Sequence, residues 1–189
     1  MRPAIRMLVL PIAVLAAACD GGGGTEPDRL TPADVAGVYQ MCRLRFTPSQ
    51  SALPVADVLV SVIDSTPPAG KPEPTLTFSG VAAEFELVYT RQSDSFLQQV
   101  RGDVEFGSGS VFLYITSQIP SNIPQEALLP SGHLDLVFNA ATGRLTAGSE
   151  VGTYWVRRSD YTRAAGISPE GLQERIYGHI SAEFAAGAC

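Results

Sequence analysis

The sequence is poor in the residue types on which most catalytic and metal sites depend. Its 189 residues include only 2 histidines, 3 cysteines and 1 tryptophan. A structural zinc site usually needs four Cys or His ligands, and a serine or cysteine triad needs a histidine beside its nucleophile. The sequence also lacks the GxSxG, phosphate-loop and HExxH patterns. We therefore predict no metal, no cofactor and no catalytic residue.

Positive charge and long apolar runs are also scarce. The chain has 13 Lys and Arg against 19 Asp and Glu, which gives a net charge of −6. This sign is wrong for binding phosphate backbones, so the composition excludes nucleic acid as a partner. The apolar run Met7 to Leu15 is shorter than the roughly 20 residues that a transmembrane helix needs. With 45% hydrophobic residues, the remainder can form one globular domain.

The first nineteen residues have the pattern of an export signal. Arg2 and Arg6 precede the apolar run, and small residues lead up to Cys19. The segment Leu15 to Cys19 resembles the lipobox of bacterial lipoproteins. That resemblance implies that residues 1–18 are removed and that the Cys19 thiol carries a diacylglycerol anchor. The alternative is an ordinary cleaved signal that happens to end at a cysteine.

Residues 19–30 form a predicted tether between the anchor and a folded domain. Gly21 to Gly24 and the polar residues after them have the composition of a flexible linker. Asp20 alone does not distinguish the inner from the outer membrane. Removal of residues 1–18 takes away two arginines and no acid, which makes the mature net charge −8. Contact with the membrane therefore depends on the acyl chains, and we expect an exported, lipid-anchored protein of the bacterial envelope, facing the periplasm or the exterior.

The domain spanning residues 31–189 is dominated by period-two alternation of apolar and polar side chains. This alternation is typical of strands with one buried face. In the first strand, Val38, Gln40 and Cys42 are predicted to share the inner face with Leu44 and Phe46. The strands are predicted at Val38–Phe46, Asp57–Ile63, Thr75–Ser79, Glu84–Tyr89, Phe96–Phe106, Val111–Thr116, His133–Asn139, Gly143–Ala147, Val151–Arg157 and His179–Ala185.

Helical signals occur at only two places. Thr31 can cap a short helix that has Pro32 in its first turn and stops at Gly37. Ser168, Pro169 and Glu170 predict a second short helix before the last strand, with Leu172, Ile176 and Tyr177 at helical spacing. If the last strand pairs with the first, the sheet closes, because closure removes exposed strand edges. We predict an all-β, antiparallel up-and-down barrel, with a sandwich as the alternative.

The segment Gly37-Val38-Tyr39, which follows the short turn and opens the first strand, resembles the Gly-x-Trp start of lipocalins. The predicted late helix followed by one more strand is also similar to the order of elements in lipocalins. This resemblance implies an eight-stranded barrel that holds a small apolar ligand in its mouth. Two proline-containing loops, Ser65 to Pro74 and Ser117 to Gly132, are predicted to be binding loops or tolerated insertions.

Cys42 and Cys189 remain once Cys19 is assigned to the anchor. Exported proteins meet an oxidising compartment, and closure of the barrel would bring the first strand close to the chain end. We predict a disulfide between these two residues. Two separate free thiols are the alternative.

Trp155 and Arg157 are the candidate ligand-binding residues, because they share one face of a predicted strand. A cation beside an aromatic ring could meet a ligand carboxylate at the barrel mouth. The alternative places Trp155 in the core and Arg157 at the solvated end of the strand.

Two further patterns have a structural explanation that we prefer. His133 and Asp135 share a strand face and could perform acid–base chemistry, but Leu134 and Leu136 indicate that this face is solvated. Acidic side chains could form a calcium-binding patch if their strands are neighbours, or could simply keep the outer surface soluble. These acids are Glu84, Glu86, Asp103 and Glu105.

The sequence thus supports two hypotheses of function. In the first, an anchored envelope lipoprotein binds a small hydrophobic or amphipathic ligand inside its barrel. In the second, the barrel is filled by side chains and acts as a structural or interaction module for an envelope protein partner. A cavity of roughly 300–1,000 Å³ would distinguish the first from the second.

Overall fold

The computed structural model describes residues 28–63, 74–91, 97–119, 133–147 and 151–189. The predicted signal peptide, Cys19 and most of the tether lie outside these ranges, as do Phe96 and most of both proline-containing loops. The strands are β1 (Gly37–Pro48), β2 (Ala56–Asp57), β3 (Thr75–Phe78), β4 (Glu84–Thr90), β5 (Leu97–Phe106), β6 (Ser110–Ile119), β7 (His133–Asn139), β8 (Arg144–Ala147), β9 (Val151–Arg157) and β10 (Arg175–Ala185). The helices are α1 (Pro32–Val35), α2 (Leu59–Val62) and α3 (Arg158–Ala165).

The strands form a closed, eight-stranded antiparallel barrel, as the sequence predicted. Strands β3 to β8 are neighbours in the order of the chain, β1 pairs with β3, and β10 pairs with β1 to close the sheet. Strands β8 and β9 lie along successive parts of the same edge of β10 and together fill one position of the barrel. The two-residue β2 pairs with β1 at Arg45 and Phe46, on the edge of β1 that β3 occupies nearer its start.

The predicted opening turn is confirmed as α1. The main-chain N–H and the hydroxyl of Thr31 both donate to Asp34 Oδ2, at 2.7 and 2.6 Å. These bonds hold the pKa of Asp34 below its usual value of 3.8. The turn leads directly into β1, where the hydroxyl of the buried Tyr39 donates to the carbonyl of Val35.

The predicted inner face of β1 is wrong in its first half. Tyr39 and Met41 are buried, whereas Val38 is 58% exposed. The register with β10 shifts between Met41 and Arg43, which makes Cys42 an extra residue in the ladder. A bulge of this kind moves the alternation by one residue, so Leu44 and Phe46 point inward as predicted while the residues before Cys42 are reversed.

The prediction for the second strand is also wrong. Only Ala56 and Asp57 of the second region are extended, and the predicted strand Asp57–Ile63 instead contains the helical turn α2. The Asp57 carboxylate accepts the N–H groups of Leu44 and Leu59, which joins the start of this turn to β1.

The late helix precedes its predicted position. Helix α3 ends at Ala165 and is capped by Gly166, whose φ of 65° is left-handed, and Ser168 to Gln173 are irregular. Ile176 and Tyr177 instead belong to β10, where alternating residues are buried from Ile176 onward. The hydroxyl of Tyr161 donates to the carbonyl of Pro54 at 2.6 Å, and its ring packs edge-on against Phe46, so α3 is fixed to the barrel.

Glycine at position 102 allows β5 and β6 to approach closely. A Cβ atom there would lie 1.9 Å from the carbonyl oxygen of Tyr114 and 2.7 Å from the ring of Phe85. The ladder between β5 and β6 shifts register beside this residue, which leaves Thr116 as the extra residue. Gln98, Val100 and Val104 on either side of it are buried and face the interior of the barrel.

Candidate functional site

The interior of the barrel is filled by side chains along the described strands. The inward residues form one cluster, and its members from opposite sides of the barrel have 0% exposure, among them Leu44, Leu87, Leu113 and Phe184. A cavity large enough for a ligand would leave its lining in contact with open space. These strands therefore pack against one another as a core.

One polar pair lies within this apolar interior. Tyr89 and Gln98 are opposite each other on β4 and β5, both with 0% exposure, and the tyrosine hydroxyl donates to Gln98 Oε1 at 2.5 Å. Among the residues that the structure describes, the amide nitrogen of Gln98 has no hydrogen-bond partner. The pair fixes the relative position of two neighbouring strands and adds no charge to the core.

Trp155 and Arg157 share one face of β9, as predicted, but that face is the outer one. Their neighbours Tyr154 and Val156 are buried inside the barrel. Trp155 is half-buried and Arg157 is exposed. Trp155 is therefore not a core residue, whereas Arg157 is at the exposed end of the strand, as the alternative placed it.

The register of β10 adds two residues that the sequence analysis did not select. Arg175 lies opposite Arg157, and Tyr177 lies opposite Trp155. The guanidinium carbon of Arg175 is 4.5 Å from the centroid of the Trp155 ring, which is cation–π geometry. We call these four residues, Trp155, Arg157, Arg175 and Tyr177, the arginine–aromatic face.

A small cleft adjoins this face. Its volume is about 30 Å³, which is room for one or two water molecules. Residues from α2, β9 and α3 line it together with the residue after β4: Val62, Arg91, Tyr154, Trp155, Val156, Arg157 and Asp160. The cleft thus brings a third arginine, Arg91, to the edge of the face.

The missed residues had a usable signal. The polar or aromatic residues Arg175, Tyr177 and His179 alternate in the sequence with apolar or small residues, which are Ile176, Gly178 and Ile180. The helical spacing of Leu172, Ile176 and Tyr177 competed with this period-two pattern. Arg91 had no comparable signal, because only the tertiary fold places the residue after β4 beside β9.

A second concavity lies on the far side of the barrel, and it is broad and polar. It measures about 480 Å³ and is lined by outer side chains of β3 to β6. Arg101 bridges Glu86 at 2.6 Å, whereas Glu84 and Asp103 lie directly opposite each other. The two strands that carry the four acids are thus neighbours, which is the condition that the calcium-binding alternative required. Across the described ranges, however, no group of three or more His, Cys, Asp and Glu side chains could hold a metal ion.

Tyr114 adjoins these acids on β6. Its hydroxyl donates to Glu105 Oε2 at 3.3 Å. Partial burial and the nearby carboxylates of Glu105 and Asp135 raise the pKa of this phenol. Its proton is therefore retained at neutral pH, and the hydroxyl stays the donor in its bond to Glu105.

The other predicted residues have clear positions. Cys42 and Cys189 form the predicted disulfide, with an S–S distance of 2.12 Å. On β7, Leu134 and Leu136 are buried and Asp135 is half-buried, while the side chain of His133 lies outside the described part. No helix in the ranges described is long and apolar enough to span a membrane.

The comparisons with known proteins leave the site to be judged on its geometry. No protein-family model, curated protein or solved structure matches this chain.

Proposed function

We propose that this protein is an exported envelope lipoprotein, anchored to a membrane through Cys19, whose filled barrel is an interaction module for another envelope component. The export pattern and the lipobox resemblance support the anchor. The packed interior is the observation that supports an interaction module rather than a ligand-binding barrel, because it favours binding through the outer surface over binding inside the barrel.

The disulfide supports the exported location. A pair of cysteines 147 residues apart in sequence is joined across the closure of the barrel. Disulfides of this kind persist in oxidising compartments and are rare in the cytosol. The acidic net charge supports an anchor made by acyl chains, because the domain itself has little attraction for anionic lipid.

Native mass spectrometry tests the proposed use of the barrel. The full chain is purified from membranes in detergent, and its mass is measured before and after extraction with organic solvent. We expect the mass of the lipidated polypeptide alone in both samples. A second mass that extraction removes would overturn the proposal and favour a small apolar ligand inside the barrel.

A further inference from the structure

One end of the barrel is made of short turns, and we call it the hairpin end. It consists of the connections from β3 to β4, from β5 to β6 and from β7 to β8, which are residues 79–83, 107–109 and 140–143. Strand β1 begins at this end, because Gly37 pairs with Phe78, and β10 finishes there, because Ala185 pairs with Arg144. Helix α3 and the connection from it to β10 lie at the opposite end, where β9 finishes and β10 begins.

The chain enters the folded domain at the hairpin end. The main-chain N–H of Leu30 donates to the carbonyl of Gly107 at 2.9 Å. The Nε–H of Arg29 donates to the carbonyl of Phe106 at 2.6 Å, and the same guanidinium lies 3.4 Å from the Glu105 carboxylate. The point at which the predicted tether joins the domain is therefore fixed beside the turn between β5 and β6.

The predicted tether is too short for the barrel to turn over on its anchor. Arg29 is ten residues after Cys19, and a chain of that length spans at most about 35 Å. A strand of 12 residues such as β1, tilted as in other eight-stranded barrels, gives the wall a height of about 30 Å. The Tyr161 ring of α3 packs on the buried ring of Phe46, so this helix covers the opposite end and adds a layer of about 10 Å. An anchor at Cys19 therefore cannot reach past the barrel to bring the opposite end to a bilayer.

The tips of the hairpin end carry no charged side chain. The three turns have the sequences Ser-Gly-Val-Ala-Ala, Gly-Ser-Gly and Ala-Ala-Thr-Gly. Val81, at the centre of the first turn, is 94% exposed, which is the highest value among the large hydrophobic residues that the structure describes. The opposite end differs, because Arg158 and Asp160 of α3 and Glu174 before β10 are charged.

The charges nearest to the hairpin end determine which lipid it suits. Arg144 bridges Glu183 at 2.6 Å, so these two charges balance each other. Glu84 and Asp103 are exposed on the outer wall and face each other, and Asp34 of α1 adds a third carboxylate. These acids are repelled by anionic headgroups, so the hairpin end fits a zwitterionic lipid surface.

We infer that the hairpin end lies against the lipid surface of the membrane that holds the anchor, an inference that rests on the proposed anchoring through Cys19. The tether holds this end near the bilayer, and its uncharged tips can meet headgroups without desolvating a charge. Val81 is the residue placed to enter the headgroup region. The arginine–aromatic face lies toward the opposite end and is then turned away from the membrane, toward the proposed partner.

An introduced cysteine can report how far each end lies from the bilayer, because Cys42 is bonded to Cys189 and Cys19 is acylated in the proposed function. Ser108 in the turn between β5 and β6 and Ser168 between α3 and β10 are both exposed. The full chain with S108C or S168C is labelled with a donor dye and reconstituted in phosphatidylcholine vesicles that carry an acceptor dye on the headgroups. We expect energy transfer from position 108 to exceed that from position 168 by at least about twofold, because about 30 Å separates the two ends.

A charge placed at the tip tests the contact itself. V81D is combined with S108C, and V60D combined with S108C is the matched control. Val60 is also an exposed valine, at 64%, but it belongs to α2 and not to the hairpin end. We expect V81D to lower the transfer from position 108 by roughly half, because a carboxylate resists entry into the headgroup region, and V60D to leave it unchanged.

Four results would overturn the inference: equal transfer from the two positions, greater transfer from position 168, no fall in V81D, or an equal fall in V60D. The proposed anchor survives each of them if the labelled chain floats with the vesicles in a density gradient. A chain that does not float with the vesicles would overturn the proposed anchoring and, with it, this inference.

Discussion

Cys42, the extra residue of the bulge in β1, is bonded to Cys189, the last residue of the chain, with their Cα atoms 5.3 Å apart. The bond joins the first strand of the barrel to the tail that follows the last one. It therefore reinforces the seam between β1 and β10 at which the sheet closes.

This crosslink predicts a large loss of stability on its removal. The double variant C42S/C189S should lower the free energy of unfolding by about 3–5 kcal/mol, because the bond restricts a long loop in the unfolded chain. Urea unfolding of the variant and the wild type checks this value. The wild type in excess reductant should unfold like the variant, and an unchanged midpoint in both would contradict the prediction.

The close approach of β5 and β6 predicts that position 102 requires glycine. In G102A the new methyl group would meet the Tyr114 carbonyl, and we expect a loss of about 3 kcal/mol or more. G187A is the matched control, because a Cβ at that position has no atom within 4 Å. Thermal unfolding measures both. Equal melting temperatures for the two variants would show that the strands can move apart at little cost.

The bonds from Thr31 to Asp34 predict a dependence of stability on pH. Because the folded pKa of Asp34 lies below 3.8, its contribution is fully present above that pH and is lost as the pH falls through the folded value. D34N should make the free energy of unfolding fall less steeply with acid between about pH 4 and pH 2. T31V, which removes only the hydroxyl donor, should change the slope in the same direction. A slope for D34N equal to that of the wild type would refute this account.

The lipobox resemblance predicts the location of the protein. C19S should move the chain from the membrane fraction to the soluble fraction, because a chain without acyl groups has only weak attraction for the bilayer. C189S is the control, since it removes a cysteine of the disulfide and keeps the anchor. Fractionation followed by immunoblotting checks both variants. A C19S variant that stays with the membrane would contradict the lipid anchor.

The strands that the sequence predicted best are those in which the period-two pattern has no interruption. Residues 97–106 of β5 alternate throughout, and the observed burial follows the predicted faces. In β1, the bulge at Cys42 reverses the first half, and a bulge depends on the partner strand rather than on local residue types. The helical signal at Ser168 was similarly local, and the pairing of β10 with β9 and β1 prevailed over it.

The candidate site was likewise predicted only where it depends on residues close together in the sequence. The sequence could place Trp155 and Arg157 on one face, because that relation depends on two positions of a single strand. It could not show that the face points outward, nor that Arg175 and Tyr177 lie opposite them, because both facts depend on the register between β9 and β10.

The sequence by itself indicated the all-β class, the closure of the barrel by the last strand and the pairing of the cysteines, because the alternation of side chains and the number of cysteines are properties of the chain. Only the tertiary structure decided that the barrel interior is filled and that arginines and aromatic rings meet on its outside. Packing and register join residues far apart in sequence, and no local pattern specifies which of them meet.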